Sequence, residues 1–480
     1  MRPPSVAECN PPAADNRITA DGPLLPVILE LAAPSVLMMY LQNAYNIIDT
    51  VWVGRLLGRD ALAGIGQGGY VLWATFGLAG LISVGLTAIV SRRIGEGRRA
   101  VAEQVAARGL RYALVWSLVV AGAVWLALDP LFDLMGASGA MRTGGLDYMR
   151  VLLLGAPLLF LSFTIGAVFR AAGDTLTPMW LMALSLLINA GLDPLLMIGV
   201  GPLPRLGLAG AALATVVART VWVALGLWLL ARGRRLGACA GGWQRLRPAL
   251  LPGRIRVHLL ERVSWGWSQL LAVVRIGAPH GLSMVLFPGV YMVLVRIPAS
   301  YGAHQVAAIR IGHTVEGMSF FLAIGVSLAT AALVGQNLGA GKSRRAGRFA
   351  WSAAGLAAGV LLVFSICFFL LDEQIASLFT GDLQTVAAGA TYVRILAWSQ
   401  VFMGLEIVLG GGFNGAGHTL PPMLVAVSLN LARIPLAYAL SDWLGWGVEG
   451  VWWAISGTSI VKGLLLVGLF SSGSWARRQV

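Results

Sequence analysis

Phe169-Arg170-Ala171-Ala172-Gly173-Asp174-Thr175-Leu176-Thr177-Pro178-Met179 returns as Phe413-Asn414-Gly415-Ala416-Gly417-His418-Thr419-Leu420-Pro421-Pro422-Met423, with seven of eleven positions identical at a spacing of 244 residues. The same spacing carries Ile94-Gly95-Glu96-Gly97-Arg98 onto Leu338-Gly339-Ala340-Gly341-Lys342, and Ala33-Pro34 recurs one residue further on as Ala278-Pro279. A chain that repeats near half its length is two copies of one unit. The longer repeat reads as a turn between helices. Gly ends one helix, and Pro opens the next at its first turn.

On either side of these turns the sequence is apolar. The 480 residues are 57% hydrophobic and 12% charged, with mean hydropathy +0.77. Soluble domains carry about 25% charged residues, so this is an integral membrane protein. Its apolar runs are close to the length of a membrane-spanning helix and too long for barrel strands. Twelve are marked, at roughly 24–53, 62–90, 110–128, 148–169, 179–199, 207–231, 270–299, 303–334, 350–371, 393–413, 423–444 and 447–470. The expected fold is all-α, twelve transmembrane helices in two pseudo-symmetric six-helix bundles. The expected organisation is a cytoplasmic N-terminal tail 1–23, an N-lobe 24–231, a basic linker 232–269, a C-lobe 270–470 and a tail 471–480. Val257 to Leu271 mixes apolar and basic residues, as a surface helix would.

The net charge of +14 does not point to nucleic acid, because the arginines cluster in alternate loops, where they set topology. They place both termini in the cytoplasm of a cell whose inner, plasma membrane holds the chain. The first 22 residues contain no apolar core of a signal peptide, so the first helix serves as the targeting signal. Cys9, Cys239 and Cys367 imply no disulfide framework. No Ser-His-Asp, Cys-x-x-Cys or His-Glu-x-x-His arrangement is present, and no enzymatic site is expected. Gln336 to Ser343 ends like a phosphate loop. It has Gln336 where the loop needs Gly, however, and closes a membrane helix instead of following a strand.

Two acids sit inside apolar segments. In Gln42-Asn43-Ala44-Tyr45-Asn46-Ile47-Ile48-Asp49, helical spacing puts Gln42, Tyr45 and Asp49 on one face. In Asn189-Ala190-Gly191-Leu192-Asp193-Pro194, Asn189 and Asp193 are i, i+4 neighbours. An ionisable group in a membrane helix is costly and marks an ion path, a cavity or a partner. The plainer reading has each carboxylate pinning a neighbouring helix. In the second half Arg310, His313 and Glu316 share a face at i, i+3, i+6, and Glu406 is a further buried acid. Glu316 and Glu406 read either as C-lobe protonation sites or as members of internal ion pairs. Arg219, Arg296, Arg433 and Lys462 either snorkel to an interface or pair with acids. Parallel repeats of this kind are the architecture of secondary transporters, with the substrate path between the halves.

With these features placed, the chain resembles the multidrug and toxic compound extrusion (MATE) family, in its prokaryotic DinF-like branch, over essentially all of 24–470. The resemblance rests on Asp49-Thr50-Val51-Trp52-Val53-Gly54, Ser91-Arg92-Arg93-Ile94-Gly95, the Gly-Asp-Thr turn at 173–175, Asn189 to Pro194, and Leu333-Val334-Gly335-Gln336-Asn337-Leu338-Gly339. It implies two lobes forming a V around a central cavity. It also implies antiport of organic, often cationic, compounds against H+ or Na+, with no cofactor beyond that ion. The implied coupling residues are Asp49, Asn189, Asp193 and Thr215, and the first three of these would also hold Na+. The implied substrate pocket includes Gln42, Tyr45 and Asn46, with Met38, Met39, Tyr40 and Trp73 as adaptable surface. The family's other branch keeps a Glu on helix 7, where this chain has Leu286-Phe287-Pro288-Gly289. The alternatives are a lipid-linked saccharide flippase, favoured if Arg219 or Arg296 faces the cavity, and a non-transporting receptor or scaffold. The expected partners are small organic substrates and the bilayer, with no nucleic acid and a monomeric state.

Overall fold

A computed structural model describes residues 18–19, 21–136, 138–199, 204–238, 248–252, 255–258 and 265–477. The first repeat comprises α1 (Leu24–Leu56), α2 (Arg59–Gly95), α3 (Arg99–Leu134), α4 (Gly139–Leu154), α5 (Ala156–Ala171), α6 (Leu176–Ile198) and α7 (Leu208–Arg232). The second comprises α8 (Trp267–Leu294), the single turn α9 (Arg296–Ser300), α10 (Ala303–Gly339), α11 (Ser343–Leu370), the short α12 (Asp372–Ser377), α13 (Leu383–Ala397), α14 (Gln400–Ala416), α15 (Leu420–Tyr438) and α16 (Val448–Ser471). Among the described residues ten helices are long and apolar enough to cross a membrane, and the pairs α4/α5 and α13/α14, bent by 52° and 53°, bring the spans to twelve when each pair is taken as one. The bent pairs occupy equivalent places in the two repeats. The apolar segments marked in the sequence all fall on these spans, and most of the helices run a few residues past the marked bounds. Polar and charged first and last turns, such as Arg99–Arg108, prolong a helix without changing its apolar stretch.

The linker differs from expectation. It carries a two-stranded antiparallel ribbon, β1 (Arg234–Ala238) paired with β2 (Pro248–Pro252). The Leu236 amide donates to Thr177 Oγ1 at 2.8 Å, which ties the ribbon to the first turn of α6. Of the expected surface helix over Val257–Leu271, residues 259–264 lie outside the described residues. Trp265 and Gly266 are irregular, and helix begins only at Trp267.

The repeated turns form as the sequence dictates. Gly173 and Gly417 both sit at positive φ, 80° and 73°, where an L side chain is strained. Asp174 Oδ1 then accepts from the Thr177 amide at 3.0 Å and stops the first turn of α6 from fraying.

The halves meet through backbone-close contacts that obey the repeat. A Cβ on Gly95 would stand 2.0 Å from the Gln336 carbonyl oxygen, and one on Gly339 would stand 2.1 Å from that of Arg92. Gly339 is the repeat equivalent of Gly95, and Gln336 that of Arg92, so the α2–α10 contact is one surface meeting its own copy across a pseudo-twofold axis. Farther along, α2 packs on α8, with Gly85 against the Val273 carbonyl and Gly277 against that of Leu81. Membrane helices approach this closely only where side chains are small.

Two helices belong to both halves. The start of α1 (Val27, Ile28, Leu31, Ala32) is buried in the core of the second repeat with Val326, Leu333 and Phe413, while Val53 near its end joins the first repeat's core. Conversely, Val273 and Ile276 of α8 pack in the first repeat, and Val290 and Leu294 in the second. The chain before α1 is pinned at the arginine-rich end of the second repeat, where Asn337 Nδ2 donates to the Ile18 carbonyl at 3.2 Å and Lys342 pairs with Asp21 at 3.1 Å.

Replacing Gly339 by Ala forces α2 and α10 apart. Its expected cost is that of overpacking, about 1–3 kcal/mol. Thermal unfolding in detergent checks this, with Gly359→Ala, whose Cβ would meet nothing within 4 Å, expected to leave the midpoint unchanged.

Candidate cation site in the first repeat

Three helices bring the acids together. α6 packs against both α1 and α7. From α1 come Gln42, Tyr45 and Asp49, from α6 Asn189 and Asp193, and from α7 Thr215 and Arg219. Asp49 is 7% exposed and Asp193 0%. Pro194 directly after Asp193 lies inside α6, where it removes one main-chain hydrogen bond and loosens the helix at the acid.

Asn189 Nδ2 donates to Asp193 Oδ1 at 3.1 Å and reaches Thr215 Oγ1 at 3.5 Å. The Asp49 and Asp193 carboxyls lie within reach of one another, and the Tyr45 hydroxyl points toward Thr215. Asp49 Oδ1, Asp193 Oδ2, Asn189 Oδ1 and Tyr45 Oη are nevertheless buried without a hydrogen-bond partner among the described residues. Arg219 is the cation of the cluster. Its guanidinium donates to Gln42 Oε1 at 2.7 Å and lies 5.2 Å from the Tyr45 ring centroid.

The chemistry follows from charge. Two ionised carboxylates and one guanidinium would leave one negative charge in a buried place, and an uncompensated buried charge is severely unfavourable. One proton shared by the carboxyls, or one monovalent cation among the unpartnered oxygens, restores neutrality. The donor set of carboxylate, amide and hydroxyl oxygens suits a hard cation. Among the described residues no group of three or more His, Cys, Asp or Glu side chains offers a transition-metal site.

Gln42, Tyr45, Asp49, Asn189, Asp193 and Thr215, all singled out from sequence, come together. Asn46 does not: it is exposed, and only its carbonyl takes a hydrogen bond, from Thr50 at 2.7 Å. Around the site, Met38 is buried with Tyr45, Met179 and Met182. Tyr40 donates to the Met318 carbonyl, and Trp73 meets Phe320 at 6.4 Å, both across the repeats. Arg219 is the participant that sequence reasoning left undecided. Its place one turn after Thr215 was the available signal.

In the second repeat Glu316 does not pair with Arg310, which is exposed. The helix turn that carries Glu316 inward points Arg310 away. His313 instead stacks edge-on against Tyr291 at 4.8 Å, Glu406 pairs with Lys462 at 3.1 Å, and Arg296 is exposed.

The architecture is that of a two-repeat membrane transporter, and comparison with known proteins gives the family. The MatE family model matches twice, over residues 34–195 and 279–439, one match on each repeat. The chain belongs to the MATE family, whose members are transporters and not enzymes. It is 27% identical over 459 residues to the probable multidrug resistance protein NorM of Thermotoga maritima, covering 94% of this chain and 93% of that one. It is 28% identical over 450 residues to the FAD transporter of Shewanella oneidensis, covering 92% and 93%. A solved MOP superfamily transporter from Pyrococcus furiosus shares the fold at TM-score 0.86 and 23% identity, covering 98% of this chain and 100% of that one. An outward-facing multidrug resistance MATE transporter superposes equally well.

Arg219→Gln leaves two buried carboxylates with no cation nearby among the described residues. Its expected cost is that of breaking a buried charge pairing, about 3–5 kcal/mol. Adding Asp49→Asn removes one negative charge and is expected to recover part of that loss, read as thermal unfolding midpoints of the two variants in detergent.

Proposed function

We propose that this chain is a cation-coupled exporter of small organic compounds in a cell membrane, with both termini in the cytoplasm, and that Asp49 and Asp193 hold the coupling ion, H+ or Na+. The observation that carries the reading is a buried cluster of two carboxyls and one guanidinium that includes four oxygens unpartnered among the described residues. Asn189 and Thr215 orient the carboxyl pair. Gln42 and Tyr45 hold Arg219 close enough to limit the deficit to one charge. The names of the multidrug resistance relatives support drug-like substrates.

The path from ion to movement runs along α1. Its second half carries Asp49, and its first half is packed into the second repeat. Neutralising the carboxyl pair changes the electrostatic balance that seats α1 against α6, and α1 passes that change to the opposite half. A difference of one pKa unit between the two conformations supplies about 1.4 kcal/mol, or tenfold, of coupling. The substrate path lies between repeats, as in other transporters of this construction. The pseudo-twofold axis already pairs the two halves of one chain, which favours a monomer. A second reading, an anionic substrate, is favoured by buried Arg219 together with the FAD transporter relative.

The test is ethidium flux in proteoliposomes under pH and Na+ gradients imposed separately. Flux is expected with one of the two gradients, falling at least about tenfold in Asp49→Asn and in Asp193→Asn. Undiminished gradient-driven flux in both variants contradicts the assignment.

A further inference from the structure

Each repeat is preceded by a short lead-in, residues 18–19 and 21–23 before α1 and residues 255–258 before α8. Neither packs on the repeat it leads into. Ile18 is 2% exposed and belongs to the core of the second repeat with Ala346, Phe349 and Ala350 of α11. Ile255 and Val257, 2% and 0% exposed, belong to the core of the first repeat with Ala102, Val105 and Ala106 of α3. The 244-residue spacing carries those three residues of α3 onto those three of α11. Two unlike lead-ins therefore share a core with equivalent faces of equivalent helices, each in the other repeat, as the pseudo-twofold axis requires.

Polar groups fix both lead-ins in place. Asn337, fully buried, donates through Nδ2 to the Ile18 carbonyl at 3.2 Å, and Arg345 Nη1 donates to the Gly22 carbonyl at 3.1 Å. On the first repeat the Arg256 amide donates to Glu103 Oε1 at 2.8 Å, and the Val257 amide to the Leu230 carbonyl at 3.0 Å. The Lys342–Asp21 pair is exposed and contributes little, so Ile18 and Asn337 do most of the holding at α1. The helices continue in the same company. Val27 and Ile28 of α1 lie in the core of the second repeat, and Val273 and Ile276 of α8 in that of the first. Only farther on does each helix join its own repeat, at Val53 and at Val290.

We propose that the two lead-ins are reciprocal anchors, each fixing the first turns of the helix it precedes to the opposite repeat. At the arginine-rich end α1 then moves with the second bundle and α8 with the first when the halves rearrange. With its start held by Ile18 and Asn337, α1 cannot absorb a shift at Asp49 by sliding along its own axis, and the shift is delivered to α10 and α11. The part of this inference that concerns movement rests on the transport reading above, and its test has an arm independent of that reading.

The test is pulsed dipolar spectroscopy on the reconstituted full chain, with Cys9, Cys239 and Cys367 replaced by Ala and pairs of spin labels at exposed positions. Leu25→Cys reports the start of α1, Arg344→Cys the second repeat and Ala100→Cys the first. In the independent arm, Ile18→Asp puts a charge where only apolar packing exists and expels the lead-in. The Leu25–Arg344 pair is expected to gain a second, longer distance, while an Arg344–Ser472 pair within the second repeat keeps its own. An unchanged Leu25–Arg344 distribution overturns the proposal. Where Ile18→Asp also disturbs the Arg344–Ser472 pair, the surface variant Asp21→Ala/Arg345→Ala takes its place, with a smaller shift in the same direction expected and no shift overturning the proposal. In the second arm the unsubstituted lead-in is compared at pH 5 and pH 8, with and without Na+. The Leu25–Ala100 distance is expected to change and the Leu25–Arg344 distance to stay. A Leu25–Arg344 change as large as that of Leu25–Ala100 also overturns the proposal. If neither distance changes, the ion-driven rearrangement fails, and the first arm still decides the anchoring.

Discussion

The interaction on which the molecule turns is the meeting of Asp49 and Asp193 inside the first bundle, with Arg219 as the nearby cation among the described residues. The surrounding helices bury the two carboxyls together, where repulsion between like charges is strong. α6 supplies Asn189 to fix one carboxyl, and α7 supplies Thr215 and Arg219. Tyr45 and Gln42 on α1 keep the guanidinium from wandering. On the proposed reading, a cluster with two carboxyls against one guanidinium gains from taking up one proton or monovalent cation.

The repeat explains how such a local deficit reaches the whole protein. The reciprocal contact of Gly95 and Gly339 with the opposite backbone makes the α2–α10 seam close-packed. α1 and α8 cross from one half to the other, each starting in its partner's core. A change in how α1 sits at Asp49 is therefore felt at Ile28 and Leu31, among residues of the second repeat. The two bundles share a plan but not a charge pattern. Where the first has Asn189, the second has Arg433, and the acids come from different helices.

Much of this was legible in the sequence. The twelve spans follow from apolar length, and the turn at Gly173 follows from residues that permit little else. The face of Gln42, Tyr45 and Asp49 is a direct consequence of helical period. The meeting of that face with Asn189 and Asp193 rested on family resemblance, because periodicity within a helix says nothing about which helix lies opposite. Arg219 shows the limit most plainly. A lone arginine in an apolar helix reads the same whether it reaches an interface or neutralises an acid three helices away. Arg310 and Glu316, read as sharing a face, part for a related reason: six residues overshoot the ideal i, i+4 neighbour, and the turn exposes Arg310. The ribbon of the linker carried no strand-like alternation strong enough to announce it.

The most direct measurement is infrared difference titration of the reconstituted full-length protein between acid and alkaline pH, in wild type, Asp49→Asn and Asp193→Asn. A single protonated-carboxyl band, shared by the pair and lost in either variant, is expected. Two bands that disappear one at a time, or a band indifferent to both substitutions, would contradict a coupling site built from one proton and two carboxylates.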